Sequence, residues 1–185
     1  IVQYLNDINR DLQKTNVFSD KIYQEKQVGY ALEKEPFLSI VIRTQGKRVE
    51  MLRETFLTLM GQEDMDYEII LIGHKVVGEQ KEQLYNVLME YPSEFLNRTR
   101  LIFLDSGNRT SPLNLGFGFA KGEYVVALDD DDIVYANWVS EFHKASKYNH
   151  GKTLHAYVLA QKWRIIEAEH GQNALRSIAK PTDIY

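Results

Sequence analysis

Short apolar segments alternate with longer amphipathic segments four times along the middle of this 185-residue chain. The apolar segments are rich in β-branched and aromatic residues and are bounded by turn residues, which is typical of strands buried on both faces of a sheet. The predicted strands are residues 37–42, 67–72, 100–104 and 124–128. Strands that alternate with helices over short connections form a parallel sheet with right-handed crossovers. The sequence therefore predicts an α/β domain with helices on both faces of a mainly parallel sheet.

Each predicted strand is followed by a segment with helical spacing. These predicted helices are residues 49–60, 79–91, 111–121 and 137–148, and a further strand is predicted within residues 153–166. Gly116 and Gly122 are expected to be a close-packing glycine and a helix-ending glycine. The polar residues at the start of the chain show weak helical spacing, with a possible helix over residues 19–33. We therefore expect an N-terminal helical arm over residues 1–36, followed by one domain over residues 37–185.

Four consecutive carboxylates follow the last of the four strands, at Asp129, Asp130, Asp131 and Asp132. Ligands of open α/β sheets bind at the carboxyl ends of the strands, and hard divalent cations take oxygen ligands. An acidic cluster can also begin a helix, although one or two carboxylates suffice for that. We expect a metal-binding, phosphate-handling site here, with the loops of Thr44, His74 and Asp131 at one edge of the sheet.

The composition of the chain excludes several classes of function. The net charge is −4 at pH 7 without any basic run, so no nucleic-acid partner is expected. The absence of Cys excludes a disulfide framework and thiolate chemistry, and no apolar run approaches the length of a transmembrane segment. The phosphate-binding motif GxxxxGK followed by Ser or Thr is also absent. The His residues lack zinc-protease spacing, and we expect His143, His150 and His170 at the surface.

Six segments follow one another in the order SIVIRT (39–44), LRE (52–54), YEIILI (67–72), NLG (114–116), AKGEY (120–124) and LDDDD (128–132). This ordered set, over residues 37–142, resembles the family 2 glycosyltransferases with the GT-A fold. The resemblance implies a three-layer fold that binds a nucleotide-diphosphate sugar and a divalent metal, Mn²⁺ or Mg²⁺. It also implies transfer of the sugar, with inversion, to a glycan or lipid-linked acceptor in the assembly of a polysaccharide.

The resemblance also implies roles for individual residues. Those that would bind the nucleotide sugar are Arg43, Thr44, Gln45, Asn114, Asp129 and Asp130. Asp131 is implied as the main metal ligand and Asp129 as its support, whereas Asp132 is expected to cap the next helix.

Three positions depart from the family pattern. Gly73 and His74 stand where the family has an Asp pair, and we expect His74 to face the base by stacking or hydrogen bonding. Leu113 stands where the family has an Arg, and Arg109 is the residue that could replace it.

No motif selects a catalytic base, which is therefore unknown. Glu167, Glu169 and His170 are the candidates within the chain; otherwise the base lies beyond Tyr185. We expect a truncated chain from a larger cytoplasmic enzyme, or one at the inner face of the membrane, with an incomplete acceptor part and further domains. Two alternatives remain open: a non-catalytic binding module with the same fold, and a nucleotidyltransferase.

Overall fold

The computed structural model describes residues 23–148, 163–167 and 173–177. The chain divides into two compact units, Ile1–Thr153 and Leu154–Tyr185. The strands of the first unit are β1 (Tyr23–Lys26), β2 (Leu38–Thr44), β3 (Tyr67–His74), β4 (Thr99–Leu104) and β5 (Tyr124–Asp129). Its helices are α1 (Val49–Met60), α2 (Glu79–Met89), α3 (Ser93–Leu96), α4 (Ser111–Phe119) and α5 (Trp138–Tyr148). No helix in the described ranges is both long and apolar enough to cross a bilayer.

The described part of the second unit is an antiparallel pair of strands. They are β6 (Trp163–Glu167) and β7 (Asn173–Ser177), with Trp163 opposite Ser177. The first of them overlaps the additional strand that the sequence predicts within residues 153–166.

The five strands of the first unit form one sheet in the order β1-β4-β3-β2-β5. Strand β2 lies parallel to both β3 and β5, and β3 lies parallel to β4. The four strands predicted from the apolar segments therefore pair in one parallel sheet, as expected. Because all four run in the same direction, the loops at their carboxyl ends meet at one edge of the sheet.

Alternate residues of the central strands supply two hydrophobic clusters, one on each face of the sheet. Ile40 and Ile69 belong to the cluster that includes α1, α2 and α5, whereas Val41 and Ile70 belong to the cluster with α4. A Cβ atom added at Gly116 of α4 would lie 2.3 Å from Val41 Cγ1, so a glycine is required for this close approach. The predicted three-layer α/β architecture is confirmed.

A buried carboxylate fixes the turn that leads into β5. Glu68 is fully buried on β3 and accepts hydrogen bonds from Ser39 Oγ and Tyr30 Oη, both at 2.7 Å, and from the Lys121 N–H at 2.7 Å. The Gly122 N–H donates to Ser39 Oγ at 2.8 Å. These bonds satisfy the buried charge and set where β5 begins, and hence where its acidic end lies.

The helix predicted over residues 19–33 is wrong where the structure describes it, because residues 23–26 form β1. This strand lies antiparallel to β4. Glu25 binds Arg100 at 2.8 Å, and the ring of Tyr23 packs edge-on against Phe119 with centroids 5.2 Å apart. Both partners are distant in sequence, so tertiary pairing overrides the weak local helical spacing. Residues 1–22 of the predicted arm lie outside the described residues.

Two expectations around β5 and one at α5 also need correction. Strand β5 is not buried on both faces: Val125 is half-buried and Ala127 exposed, because β5 is an outer strand of the described sheet. Asp132 does not cap the next helix, since α5 begins only at Trp138. His143 is not a simple surface residue, because its ring stacks on Phe37 at 4.1 Å.

Candidate functional site

A cavity of about 760 Å³ lies where β2, β3 and β5 end. Thr44, His74 and Asp131 all line it, which confirms that their loops meet at one edge of the sheet. Its lining is almost entirely polar or charged, and consists of Arg43, Thr44, Gln45, Lys47, Arg48, His74, Lys75, Asn108, Arg109, Asp129, Asp130 and Asp131. The volume suits a small-molecule ligand of nucleotide size.

Positive charge dominates this cavity although the whole chain is acidic. Five cationic side chains lie among the lining residues, against three carboxylates. The cations are Arg43, Lys47, Arg48, Lys75 and Arg109. A concave surface with an excess of cations attracts anionic ligands, and guanidinium groups match phosphate oxygens in geometry. The site therefore suits a phosphate-bearing ligand.

Thr44 and Asp130 tie the loop after β2 to the loop after β5. Both residues are buried, and Thr44 Oγ1 donates to Asp130 Oδ2 at 2.5 Å. The same hydroxyl accepts the Gly46 N–H at 3.1 Å, and Gly46 has φ of +71°, a conformation that glycine adopts without strain. A buried carboxylate needs such donors, so Thr44 serves to hold Asp130 in place.

Arg48 binds two of the consecutive carboxylates at once. Its Nη2 donates to Asp130 Oδ1 at 2.5 Å, and its Nη1 donates to Asp131 Oδ2. The nearby Asp130 carboxylate raises the pKa of the Arg48 guanidinium, with Asp131 adding to the effect. The sequence prediction did not assign a role to Arg48. The available signal was a cation in the loop after β2, at the same sheet edge as the acidic loop.

Arg43 lies between the remaining carboxylate and the turn that leads into α4. Its Nη2 is 3.7 Å from Asp129 Oδ1, and its Nη1 donates to the Arg109 carbonyl at 2.9 Å. The side chain of Asp129 is 60% exposed, so this pair is a loose surface contact. Arg43 and Asp129 are therefore free to rearrange around a ligand.

His74 is buried at the end of β3 with one edge fixed. Its Nε2 lies 3.1 Å from the Ser106 carbonyl oxygen and must be the donor, because a carbonyl can only accept. In the neutral ring, Nδ1 then remains as an acceptor, together with the ring face. The next residue, Lys75, has φ of +55°, an unusual conformation for a non-glycine residue. Strained backbone of this kind clusters at functional sites.

Some of the predicted residues are not gathered in this cavity. Asn114 is exposed on α4 and is not among the lining residues. Leu113 packs against the hydrophobic cluster of that face, whereas Arg109 lines the cavity. Of the candidates for the catalytic base, Glu167 ends β6, and Glu169 and His170 lie outside the described residues.

The chemistry of the cavity fits a hard divalent cation. Asp129 and Asp131 offer carboxylate oxygens, the donor type that Mg²⁺ and Mn²⁺ take, and their side chains are exposed by 60% and 36%. No group of three or more His, Cys, Asp or Glu side chains converges on a metal-sized point within the described ranges. Such a cation would therefore need further oxygen ligands from a bound phosphate or from water.

Comparisons with known proteins agree with this architecture. Residues 39–153 match the family model described as glycosyl transferase family 2. The poly(ribitol-phosphate) beta-N-acetylglucosaminyltransferase TarP of Staphylococcus aureus (strain N315) is 28% identical over 118 residues, which are 63% of this chain and 33% of TarP.

Solved structures of S. aureus TarS have a similar fold. The crystal structure of TarS 1–349 matches with a TM-score of 0.53 at 14% identity, over 69% of this chain and 40% of that one. The same region of TarS in complex with UDP-GlcNAc matches with a TM-score of 0.52 at 17% identity, over 72% and 41%. This chain thus spans less than half the length of these relatives. The family match covers more than half of the chain, which therefore belongs to glycosyl transferase family 2.

Proposed function

We propose that this chain forms the donor-binding part of an inverting glycosyltransferase that uses a uridine-diphosphate sugar and a divalent cation. The observation that carries the proposal is the cavity at the ends of β2, β3 and β5, in which an excess of cations surrounds three adjacent carboxylates. The family match supports the reaction class, and the UDP-GlcNAc complex of TarS suggests the donor.

The lining residues divide into two functions. Arg43, Thr44, Gln45 and His74 form the nucleoside end, where His74 offers the uracil either its ring face or Nδ1. Asp130 accepts a hydrogen bond from Thr44 of this end and is adjacent in sequence to Asp129 and Asp131. We place the ribose or the sugar beside it.

Asp131 would hold the cation, with Asp129 in support. The cation would stabilise the negative charge that develops on the leaving diphosphate, acting as a Lewis acid. Asp131 and Asp129 orient that charge-stabilising group, while Arg109 and Lys75 add positive charge to the cavity wall.

The acceptor follows by analogy with a relative, and the cellular location is inferred from the proposed use of nucleotide sugars. We propose a glycan or polymer acceptor, as the name of TarP indicates for that protein. We place the protein in the cytoplasm or at the inner face of the membrane, where nucleotide sugars would be its donors. Within this chain, Glu167, Glu169 and His170 are the candidates for the catalytic base.

Asp131→Ala tests the proposal directly, with Asp132→Ala as a matched control. Asp132 is the adjacent carboxylate and does not line the cavity. Binding of UDP and UDP-GlcNAc is measured by calorimetry with and without Mn²⁺, and melting temperatures report folding. We expect Asp131→Ala to abolish the Mn²⁺-dependent part of binding without unfolding the protein, because Asp131 is a surface carboxylate whose ion pair with Arg48 faces solvent. Asp132→Ala should behave as the wild type.

The other outcomes identify the alternatives. Unfolding of Asp131→Ala would show that the cluster is structural and would contradict the site assignment. Release of pyrophosphate from a nucleoside triphosphate would instead indicate a nucleotidyltransferase, whereas free UDP from UDP-GlcNAc indicates a glycosyltransferase. Binding of the donor without turnover, even with the full-length protein, would indicate a non-catalytic module.

A further inference from the structure

One cation of the cavity occupies the carboxylates that the proposed function assigns to the donor and its metal. The guanidinium of Arg48 binds Asp130 and Asp131 with separate nitrogens, although these residues are more than 80 positions away in sequence. Each of these hydrogen bonds is charge-assisted, and such bonds are stronger than those between neutral groups. A residue of the protein itself therefore supplies part of the charge that compensates the acidic loop.

This contact conflicts with cation binding at the same carboxylate. Asp131 is the proposed metal ligand, and its Oδ2 accepts the hydrogen bond from Arg48. Two positive charges within about 4 Å of each other repel strongly, the more so in a partly enclosed site. A divalent cation at Asp131 and the Arg48 guanidinium in its present place are therefore incompatible in close contact.

The surroundings of Arg48 allow it to move away. Its side chain is 49% exposed, and it ends a loop rather than lying inside a strand or helix. Its pair with Asp131 faces solvent and contributes little to stability, because water and salt screen it, whereas the pair with the buried Asp130 costs more to break. The Asp130 carboxylate keeps its hydrogen bond from Thr44 when Arg48 leaves, so the buried charge is not left without a donor.

A second partner for Arg48 exists once the donor is bound. Arg48 lines the cavity, and a diphosphate beside Asp131 would bring pairs of phosphate oxygens that the planar guanidinium binds in a forked manner. We propose that Arg48 couples donor binding to cation binding, because it pairs with Asp130 and Asp131 in the free protein and binds the donor diphosphate in the loaded protein. This inference rests on the proposed function and adds a positioning residue to it.

The coupling has a consequence for the free protein. With Arg48 in place, Mn²⁺ alone must compete with an internal cation and binds weakly. When UDP is present, Arg48 has a new partner, and Mn²⁺ gains the released carboxylate. By linkage, each ligand then raises the affinity for the other by the same factor.

The test compares Arg48→Gln with Arg53→Gln as a matched control. Arg53 is also an Arg that binds two carboxylates, Glu50 and Glu90, but it lies outside the cavity. Calorimetry measures Mn²⁺ binding without nucleotide, UDP binding with saturating Mn²⁺, and the factor by which each ligand changes the affinity of the other. Melting temperatures show that each variant is folded.

Arg48→Gln should bind Mn²⁺ alone about three- to tenfold more tightly, the scale of two lost surface ion pairs. It should bind UDP with Mn²⁺ about tenfold more weakly, because one charge-assisted fork to the diphosphate is lost. The coupling factor should therefore fall. Arg48→Lys, which keeps the charge without the fork, should lie between the two, and Arg53→Gln should match the wild type.

Three results would overturn the inference. Equal Mn²⁺ affinity in wild type and Arg48→Gln, with UDP binding retained, would reject Arg48 as the coupling residue and leave the donor site intact. A similar gain of Mn²⁺ affinity in Arg53→Gln would show that any freed carboxylate pair takes the ion. Lack of Mn²⁺ binding in every protein, with or without UDP, would reject the inference together with the metal dependence of the proposed function.

Discussion

Phe103 fills the space in which residue 73 would carry a side chain. The two residues are opposite each other in the β3–β4 pair, and a Cβ atom added at Gly73 would lie 2.7 Å from Phe103 Cδ1. Real Cβ atoms do not approach ring atoms so closely, so a side chain at residue 73 requires that Phe103 shift. The presence of glycine at residue 73, where the resemblance implies an Asp, is therefore explained by the packing of Phe103.

This relationship predicts a specific pattern of stabilities. Gly73→Ala should lower the free energy of unfolding by about 1–3 kcal/mol, because it overpacks the core beside Phe103. Phe103→Val should cost about 2–3 kcal/mol by removing buried ring atoms. In the double variant the added methyl group has room. The total loss of unfolding free energy, measured by urea denaturation, should therefore be smaller than the sum of the two single losses.

Gly61→Ala is the control for the entropy and methyl effects of a glycine replacement. It lies at the end of α1 with a negative φ, and its added Cβ would come no closer than 3.4 Å to the Leu57 carbonyl oxygen. We expect a change within about 0.5 kcal/mol. Strictly additive losses at Gly73 and Phe103 would contradict the packing account.

His74 is expected to serve the ligand through its ring and not only through its fixed edge. His74→Ala should weaken UDP binding by about 1–2 kcal/mol, the scale of a hydrogen bond or stacking contact. His74→Gln separates the two roles, since its longer amide can still donate to the Ser106 carbonyl from the position of Nε2 but has no ring. Wild-type affinity in His74→Gln, measured by calorimetry, would reduce His74 to an anchor for the Ser106 loop.

Lys75 is expected to lower the stability of the fold and to strengthen ligand binding. A lysine with φ of +55° is strained, and glycine adopts this region freely. Lys75→Gly should therefore raise the free energy of unfolding by about 0.5–1 kcal/mol, after the entropy cost of glycine in the unfolded chain. Because Lys75 lines the cavity, the same variant should bind UDP more weakly. A gain in stability without any loss of UDP affinity would place Lys75 outside the ligand contacts.

Asp64 is expected to make the fold sensitive to acid. Burial acts to raise the pKa of its carboxyl, but hydrogen bonds from the Asp66 N–H and from His143 outweigh burial and hold the pKa below the ordinary value. The folded form thus binds this proton less readily than the unfolded chain. The stabilisation is fully present above the unfolded value of about 4 and is lost as the pH falls through the lowered folded value.

Asp64→Asn removes this titration. We expect the difference in urea midpoint between wild type and Asp64→Asn to be largest near neutral pH and to shrink below about pH 4. A difference that stays constant from neutral pH to pH 3 would show that the pair with His143 contributes no acid sensitivity.

The sequence was sufficient for the central sheet because local and global signals agree there. The apolar segments at Ile40, Ile69 and Ile102 predict strands by composition alone, and the alternation with helices predicts their parallel pairing. The meeting of Thr44, His74 and the acidic loop follows from that pairing, since carboxyl ends of parallel strands share an edge.

Contacts between distant residues account for what the sequence did not predict. Glu25 of strand β1 is bound by Arg100, and the acidic loop is bound by Arg48. Both contacts join residues far apart in sequence, so no periodic local pattern indicates them. The acidic cluster in the sequence indicates an external cation, although an Arg of the chain supplies part of the compensating charge. The motif alone points to Asn114, and its spacing does not indicate that the residue is exposed on α4.

Strand β1 also has a consequence for where the stable unit begins. It lies outside the family match at residues 39–153, yet it covers the backbone edge of β4. A version of the protein shortened to Ser39 would leave the N–H and C=O groups of that edge open to pairing with a second molecule. The short polar strand thus hinders edge-to-edge self-association at β4. This effect is separate from the cavity at the carboxyl ends of β2, β3 and β5.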